Sequence, residues 1–469
     1  MTDALANLLG LYAGLLLMNT IISAFMWWTQ RGLLNRDLLV MWAAMLLAFI
    51  AQGAASANFE HNAMIVVLSF STLWFANLSY ARLVTRLIGL DVPVRMSVVV
   101  IAIALALGFS AYSAGLHFTF IALPVAIGVV FPAVVSAGGA LLNHWSSLSI
   151  TGRAMMVSCL AITVHELDYP FLRHLPEYSA MGFTIAIVVV FALSIFAPAV
   201  VLEVVTREQA TVAAEMDVAR KIQLRVLPGV KELAGVPDLE INGFMRPADE
   251  VGGDYYDVCN LGGTSWILVG DVTGHGLGSG LVMLMAQSVI ASILHTRGSE
   301  ITPSELTFLA NRVLFRNLVR LGDMRSMTIV ALRKDPGSQR YVYSGNHDHV
   351  YIYRADSGAV ETLEVSQVPH DLGFLDEFPQ SEYSERSFEL GPRDLLLMAT
   401  DGVTEAAREG VYSKGMFDPG RVKDLLAAMG TEPLQDIRDR LLGDLEAFTG
   451  GVYHDDVTFL LARPTQALS

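Results

Sequence analysis

Glu250-Val-Gly-Gly-Asp254-Tyr-Tyr-Asp257, followed by Gly270-Asp271-Val-Thr-Gly-His275-Gly276, is the stretch from which the fold can be read. Between the two motifs runs Thr264-Ser-Trp-Ile-Leu-Val269, an apolar segment bounded by glycines and therefore a buried strand. Asp254 precedes that strand, and Asp271 stands at its far end, where the chain turns through Gly274 and Gly276. The same grammar returns twice downstream. Asp394-Leu-Leu-Leu-Met-Ala-Thr400 reads as a strand delivering Asp401-Gly402, and His454-Asp455-Asp456 directly precedes the strand Val457-Thr-Phe-Leu-Leu-Ala462. Any single Asp-Gly or Asp-Asp pair marks a turn. Acidic groups repeated at strand ends call instead for a hard divalent cation, because Mg²⁺ and Mn²⁺ take oxygen ligands and glycines let carbonyls approach. Converging carboxylates repel unless cations neutralise them, and two metals about 4 Å apart make a shared water nucleophilic near neutral pH.

Gly-Gly-Asp254-Tyr-Tyr-Asp257, Gly-Asp271-Val-Thr-Gly-His275-Gly, Thr400-Asp401-Gly-Val-Thr-Glu405 and Asp455-Asp456-Val-Thr458, in this order, resemble the type 2C metal-dependent protein phosphatases. Specifically they resemble the bacterial SpoIIE/RsbU-like branch, over about residues 215–465. That resemblance implies an α/β sandwich of two β-sheets flanked by helices, with two Mn²⁺ or Mg²⁺ ions between the sheets. It implies hydrolysis of phosphoserine or phosphothreonine, on a phosphorylated anti-anti-sigma protein. It assigns Asp271 to bridge both ions, with the Val272 carbonyl as a further ligand. Asp401 and Asp455 would complete one ion's shell, and Asp254 would hold the other directly or through water. Asp456 would stand behind the ligands, and Asp257 would be structural. His275 either protonates the leaving serine oxygen or fixes its glycine turn. Arg246, just before Pro247, is a candidate phosphate clamp. Where relatives carry Ala-Gly-His-x-Pro, this chain has Ser344-Gly345-Asn346-His347-Asp348, read as a loop outside the metal ligands that bears on substrate preference.

Strands are expected at Leu239–Met245, Trp266–Val269, Met327–Leu332, Arg340–Ser344, Val350–Tyr353, Arg386–Leu390, Leu395–Ala399 and Val457–Ala462. Helices are expected at about 278–296 and 303–320, with two more between 420 and 449. Thr302-Pro303-Ser-Glu305 carries a capping box with proline at the first helical position.

The 469 residues allow two or three domains, and 53% of them are hydrophobic against 16% charged. That apolar excess lies before residue 205. A net charge of −15 without a basic tract excludes nucleic acid as a partner. Cys159 and Cys259 form neither a disulfide framework nor a zinc site, and Met1-Thr-Asp-Ala lacks the basic region of a signal peptide. Apolar runs at about 6–28, 38–57, 63–81, 96–115, 118–142, 152–167 and 181–204 approach spanning length, the sixth being short and running into His165-Glu166-Leu-Asp168. Arg31, Arg36, Arg82, Arg86, Arg95, Arg153 and Arg207 occupy alternate connections. The other connections hold Glu60, Asp168 and Glu177, with Arg173 the only basic residue. The positive-inside rule then puts the N-terminus outside and the C-terminus in the cytoplasm, which needs an odd number of spans, hence seven; with the resemblance to a bacterial branch, the expected location is the inner membrane. Asn19, Gln52, Asn77 and His165 either line a ligand pocket or hydrogen-bond between helices.

Val201 to Leu227 has neither glycine nor proline, so the last span continues as a helix. Val205, Val212, Ala219 and Val226 recur every seven residues, which reads as the seam of a parallel coil and a homodimer. The alternative is an amphipathic helix packed on its own catalytic domain. The expected fold is multi-domain: a seven-helix all-α transmembrane domain at 1–204, a coiled-coil linker at 205–230 and an α/β phosphatase domain at 231–469. The rival function is a catalytically silent scaffold that binds a partner through the same domain.

Overall fold

The computed structural model describes residues 3–58, 63–172, 176–249 and 251–465. Glu60, Arg173 and Glu250 lie outside the described residues, as do the side chains of Glu177 and Asp348. The chain divides into two units, Met1–Thr211 and Val212–Ser469.

The first unit is helical: α1 (Asp3–Thr29), α2 (Leu33–Asn58), α3 (Ala63–Leu87), α4 (Val94–Ser113), α5 (Phe118–Asn143), α6 (Ile150–Leu172) and the first part of α7 (Pro176–Val226). Each expected apolar run falls in one of these helices. Ile21, Phe25, Val99, Phe109 and Phe120 are exposed while Leu16, Trp42, Leu83 and Met155 are buried, so the unit is apolar outside as well as inside. Helices apolar all round suit lipid better than water. Some polar groups on them are paired: Asn19 donates to Ser194 at 2.6 Å, and Asp37 faces Arg82 and Arg86 at 3.4 and 2.9 Å. The sixth run is longer than its sequence suggests, because α6 continues to Leu172 and takes His165, Glu166 and Asp168 into the helix.

Six described helices are long and apolar enough to cross a membrane: four in the first unit (α1, α2, α4 and α5), a segment that begins there in α7 and runs past Thr211, and Leu277–Arg297. The last belongs to the second unit, where Val282, Met283, Ala286, Ile290 and Leu294 pack into its core. Its apolarity is that of a core helix.

After α7 the second unit continues with α8 (Val230–Ala234), β1 (Leu239–Arg246), β2 (Tyr255–Leu261), β3 (Thr264–Val272), α9 (Leu277–Arg297), α10 (Pro303–Leu321), β4 (Met327–Lys334) and β5 (Arg340–Tyr353). It ends with β6 (Val360–Ser366), β7 (Arg386–Glu389), β8 (Leu395–Ala399), α11 (Asp401–Thr404), α12 (Asp418–Met429), α13 (Leu434–Thr449) and β9 (Val457–Pro464). Thr302 caps α10 as its sequence requires, accepting from the Glu305 amide at 3.3 Å.

Instead of two separate sheets, the strands form one hydrogen-bonded path, β1-β9-β8-β5-β4-β3-β2, with β6 and β7 also on β5. The link is β5. Its first half pairs with β4 and β7, its second half with β6 and β8, and the register shifts between His347 and Val350. A bulge of this kind bends a strand and lets it serve two wings. The two short strands expected on either side of Ser344–Asp348 are therefore one long strand, and that segment lies within it. Gly345 is required there, since a Cβ would stand 2.0 Å from the Ile329 carbonyl oxygen. Leu396, Met398, Leu460 and Ala462 from one wing share a core with Leu268, Val330 and Tyr343 from the other. The opposite face of β8 and β9, through Leu395, Leu397, Phe459 and Leu461, packs on α12 and α13 through Leu426, Ile437 and Leu441.

Candidate active site

Antiparallel register brings the acidic strand ends together. Ala399 at the end of β8 is opposite Phe459 near the start of β9, so Thr400-Asp401 and Asp455-Asp456 are neighbours. The 251–254 loop joins them to the end of β3. Gly253 donates to Asp456 Oδ2 at 2.6 Å, and Asp254 Oδ2 accepts from the Thr400 hydroxyl at 2.8 Å. A Cβ on Gly253 would stand 2.7 Å from the Val272 carbonyl oxygen and 3.3 Å from Asp271 Oδ1, so only glycine lets this loop close. Gly402 is equally constrained, its Cβ position lying 1.9 Å from the Asp456 carbonyl oxygen.

The electrostatics follow from this crowding. Burial, then the charges of Asp401 and Asp455, push Asp271 up to about 8, against a partial offset from a hydrogen bond with Asp254. Asp254 is raised well above the usual carboxylate range by burial, then by Asp271 and Asp456. Burial and Asp401 push Asp455 up to about 6. These carboxylates share one field, as the sequence motifs require. One oxygen among them, Asp401 Oδ1, is buried without a hydrogen-bond partner. A buried carboxylate oxygen is costly unless a donor or a cation meets it, so the donor set fits a hard divalent ion. Among the described residues the side chains as placed do not form a ready-made cage of three ligands around one point.

Asp456 is fully engaged with backbone: Oδ1 accepts from Ala248 at 2.7 Å and Oδ2 from Gly253 and, at 3.4 Å, from Asp254. Asp257 bonds the Tyr255 hydroxyl and the Val258 amide within β2, apart from the acidic group. His275 is exposed at the rim, its Nδ1 at 2.5 Å from Asp249 Oδ2. Arg246 ends β1 opposite Val457 and lies over the Tyr453 ring at 5.0 Å, with no ion pair among the described residues. His347 points into the core and bonds the Ala399 carbonyl oxygen at 2.8 Å, which braces the strand that carries Asp401.

Three participants are assigned no role by the sequence motifs. Thr400 occupies the N-cap position of α11 but makes no cap bond, its hydroxyl serving Asp254 instead. Asp249 lies in a bend after β1, and its Oδ2 stands 2.5 Å from His275 Nδ1. Gln223, fully buried on α7, grips the site loop in both directions: its amide donates to the Gly252 carbonyl at 2.7 Å and its carbonyl accepts from the Gly252 amide at 3.1 Å. No local pattern connects a helix glutamine to a glycine 29 residues away.

The family model described as Stage II sporulation protein E (SpoIIE) matches residues 262–465. IcfG of Synechocystis sp. is 28% identical over 280 residues, which cover 52% of this chain and 41% of IcfG. The phosphoserine phosphatase RsbU of Bacillus subtilis is 24% identical over 259 residues, which cover 54% of this chain and 71% of RsbU. Thus the chain spans less than half of the length of IcfG. Among solved structures, the SiaA-PP2C domain of Pseudomonas aeruginosa is 22% identical with a TM-score of 0.47, over 55% of this chain and 99% of that domain.

Proposed function

Residues 262–465 form a SpoIIE-family PP2C phosphatase domain, and from that premise we propose that the chain is a membrane-bound, metal-dependent protein serine/threonine phosphatase. Its substrate is a small phosphorylated regulatory protein of the anti-anti-sigma type, and the helical first unit sets its activity in response to a signal. The observation that carries this reading is the buried, unpartnered Asp401 Oδ1 within the field of Asp271 and Asp455. When bound, two Mn²⁺ or Mg²⁺ ions supply charge neutralisation and an activated water. Asp271, the Val272 carbonyl, Asp401, Asp455 and Asp254 are the groups that hold them. Asp456 keeps the Asp254 loop in place through three backbone amides. His275, engaged with Asp249 through Nδ1, keeps Nε2 for proton transfer to the leaving serine oxygen. Arg246, laid on Tyr453, offers paired N–H groups to phosphate oxygens.

We read α1 to α7 as seven spans of the bacterial inner membrane, with the N-terminus outside and the phosphatase domain in the cytoplasm. The alternating arginines support that orientation. The apolar seam of α7 supports a homodimer: Val212, one of its residues, is 54% exposed in the single chain. Intact acidic ligands argue against the silent scaffold. The test is phosphate release by the full-length protein from a phosphorylated anti-anti-sigma-type substrate. Release that requires Mn²⁺ or Mg²⁺ and stops on chelation is expected; release indifferent to chelation would refute the mechanism.

A further inference from the structure

Within the first unit lies a cavity of about 780 Å³ among the helices. Sites for small organic ligands have this size, with mostly apolar walls and a few placed polar groups. The walls here fit that description. Tyr12 contacts the rings of Phe49 and Phe183 edge-on, at 5.2 and 6.5 Å between centroids, and all three residues line the cavity. The polar groups are concentrated on α6 and its neighbour: Asn77 donates to Glu166 Oε2 at 3.0 Å, and His165 Nδ1 meets Asp168 at 2.8 Å.

The charge balance of this lining is one-sided. Glu166 and Asp168 contribute two carboxylates, and no lysine or arginine occurs among the described lining residues. His165 is engaged with Asp168, whereas the partner of Glu166 is a neutral amide. An acid in so apolar a segment is expensive unless a counter-charge or a functional partner is supplied. A bare divalent ion does not suit the site, because it needs about six oxygen ligands and the walls are mainly hydrocarbon. An anion is repelled. A cation on an organic body satisfies both halves, its charge at Glu166 and its apolar surface against the aromatic rings, which themselves attract cations.

We propose that this cavity binds an organic ammonium ion carried on an apolar body, with Glu166 as its counter-ion. The proposal would name the chemistry of the signal if the receptor reading holds, but binding itself does not depend on phosphatase activity. Either a free amine or the headgroup of an aminophospholipid offers this chemistry.

The experiment uses the full-length protein in dodecyl maltoside and two fluorescent probes of equal length. One is dansylcadaverine, with a terminal ammonium; the other is its analogue with a terminal hydroxyl. Saturable binding with a preference for the ammonium of about tenfold or more is expected, the value of a charge-assisted hydrogen bond. Glu166→Gln should remove the preference while leaving the hydroxyl probe's affinity unchanged, and Glu166→Asp should keep it. Displacement by phosphatidylethanolamine but not phosphatidylglycerol would assign the site to a lipid headgroup, and absence of displacement to a free amine. Equal affinity for the two probes, a preference that survives Glu166→Gln, or no saturable binding would overturn the proposal. The wild-type comparison decides by itself if Glu166→Gln does not fold.

Discussion

Single carboxylates carry opposite duties in this site, and their surroundings tell them apart. Asp456 is saturated by backbone amides, whereas Asp401 leaves a buried oxygen with nothing to accept from. Asp271 is pushed up by burial and by the charges of Asp401 and Asp455, so as a bare side chain it strains the fold rather than supporting it. Asp271→Asn and Asp401→Asn should therefore each lower phosphate release by at least about 100-fold, more than loss of a typical supporting group. Thermal melts provide the structural control. In EDTA the Asp271→Asn protein should melt no lower than wild type, because it loses a repulsion, while added Mn²⁺ should raise the melting temperature of the wild type alone. Near wild-type turnover by either variant at saturating Mn²⁺ would remove these residues from the ligand set.

Among the elements, the proposed regulation turns on α7, because one helix carries both the expected seam and Gln223. The Gln223 side chain holds Gly252, whose neighbour Gly253 donates to Asp456 and precedes Asp254. Loosening that grip should disorder a metal-site loop without touching a ligand. Gln223→Leu is expected to raise the Mn²⁺ concentration for half-maximal activity by about tenfold, as for other groups that orient ligands; an unchanged metal requirement would make the contact incidental. Rotation of the helix is a second handle. One residue inserted near Ala213 turns everything beyond it by about 100°, and seven nearly restore the phase. Full-length protein in membranes should change activity sharply with one inserted residue and recover with seven. Activity indifferent to insertion length would make the helix a tether.

At the scale of the whole molecule, the two units differ in what their exteriors face. Exposed Ile21, Phe25 and Phe109 mark the first as a lipid-facing body, whereas the second packs one face of its most apolar helix, α9, into its core. A reporter fused after Lys221 should read cytoplasm, and one inserted near Glu177 should read outside. Both on one side would leave an even number of spans between the N-terminus and the linker and remove the case for seven.

Much of this protein was legible without coordinates, because its signals are local. Apolar runs of spanning length, strands ending in Asp-Gly or Asp-Asp, and the Thr302 cap each depend on residues within one element, and the helices and most strands fall where those patterns put them. β2 and β6 were not legible: Tyr255-Tyr-Asp-Val-Cys-Asn-Leu261 mixes aromatic and polar residues, and β6 is a largely exposed strand held by backbone pairing with β5. The tertiary structure alone decided that β5 runs unbroken through a bulge and joins both wings, since pairing partners on each side select the bend. It alone joined Asp249 to His275, Gln223 to Gly252 and Thr400 to Asp254, the last across 146 residues. It also enclosed Glu166 in a cavity lined by Tyr12, Phe49 and Asn77. Hydrogen bonds between distant residues depend on where whole elements pack, and no spacing rule within one segment encodes that placement.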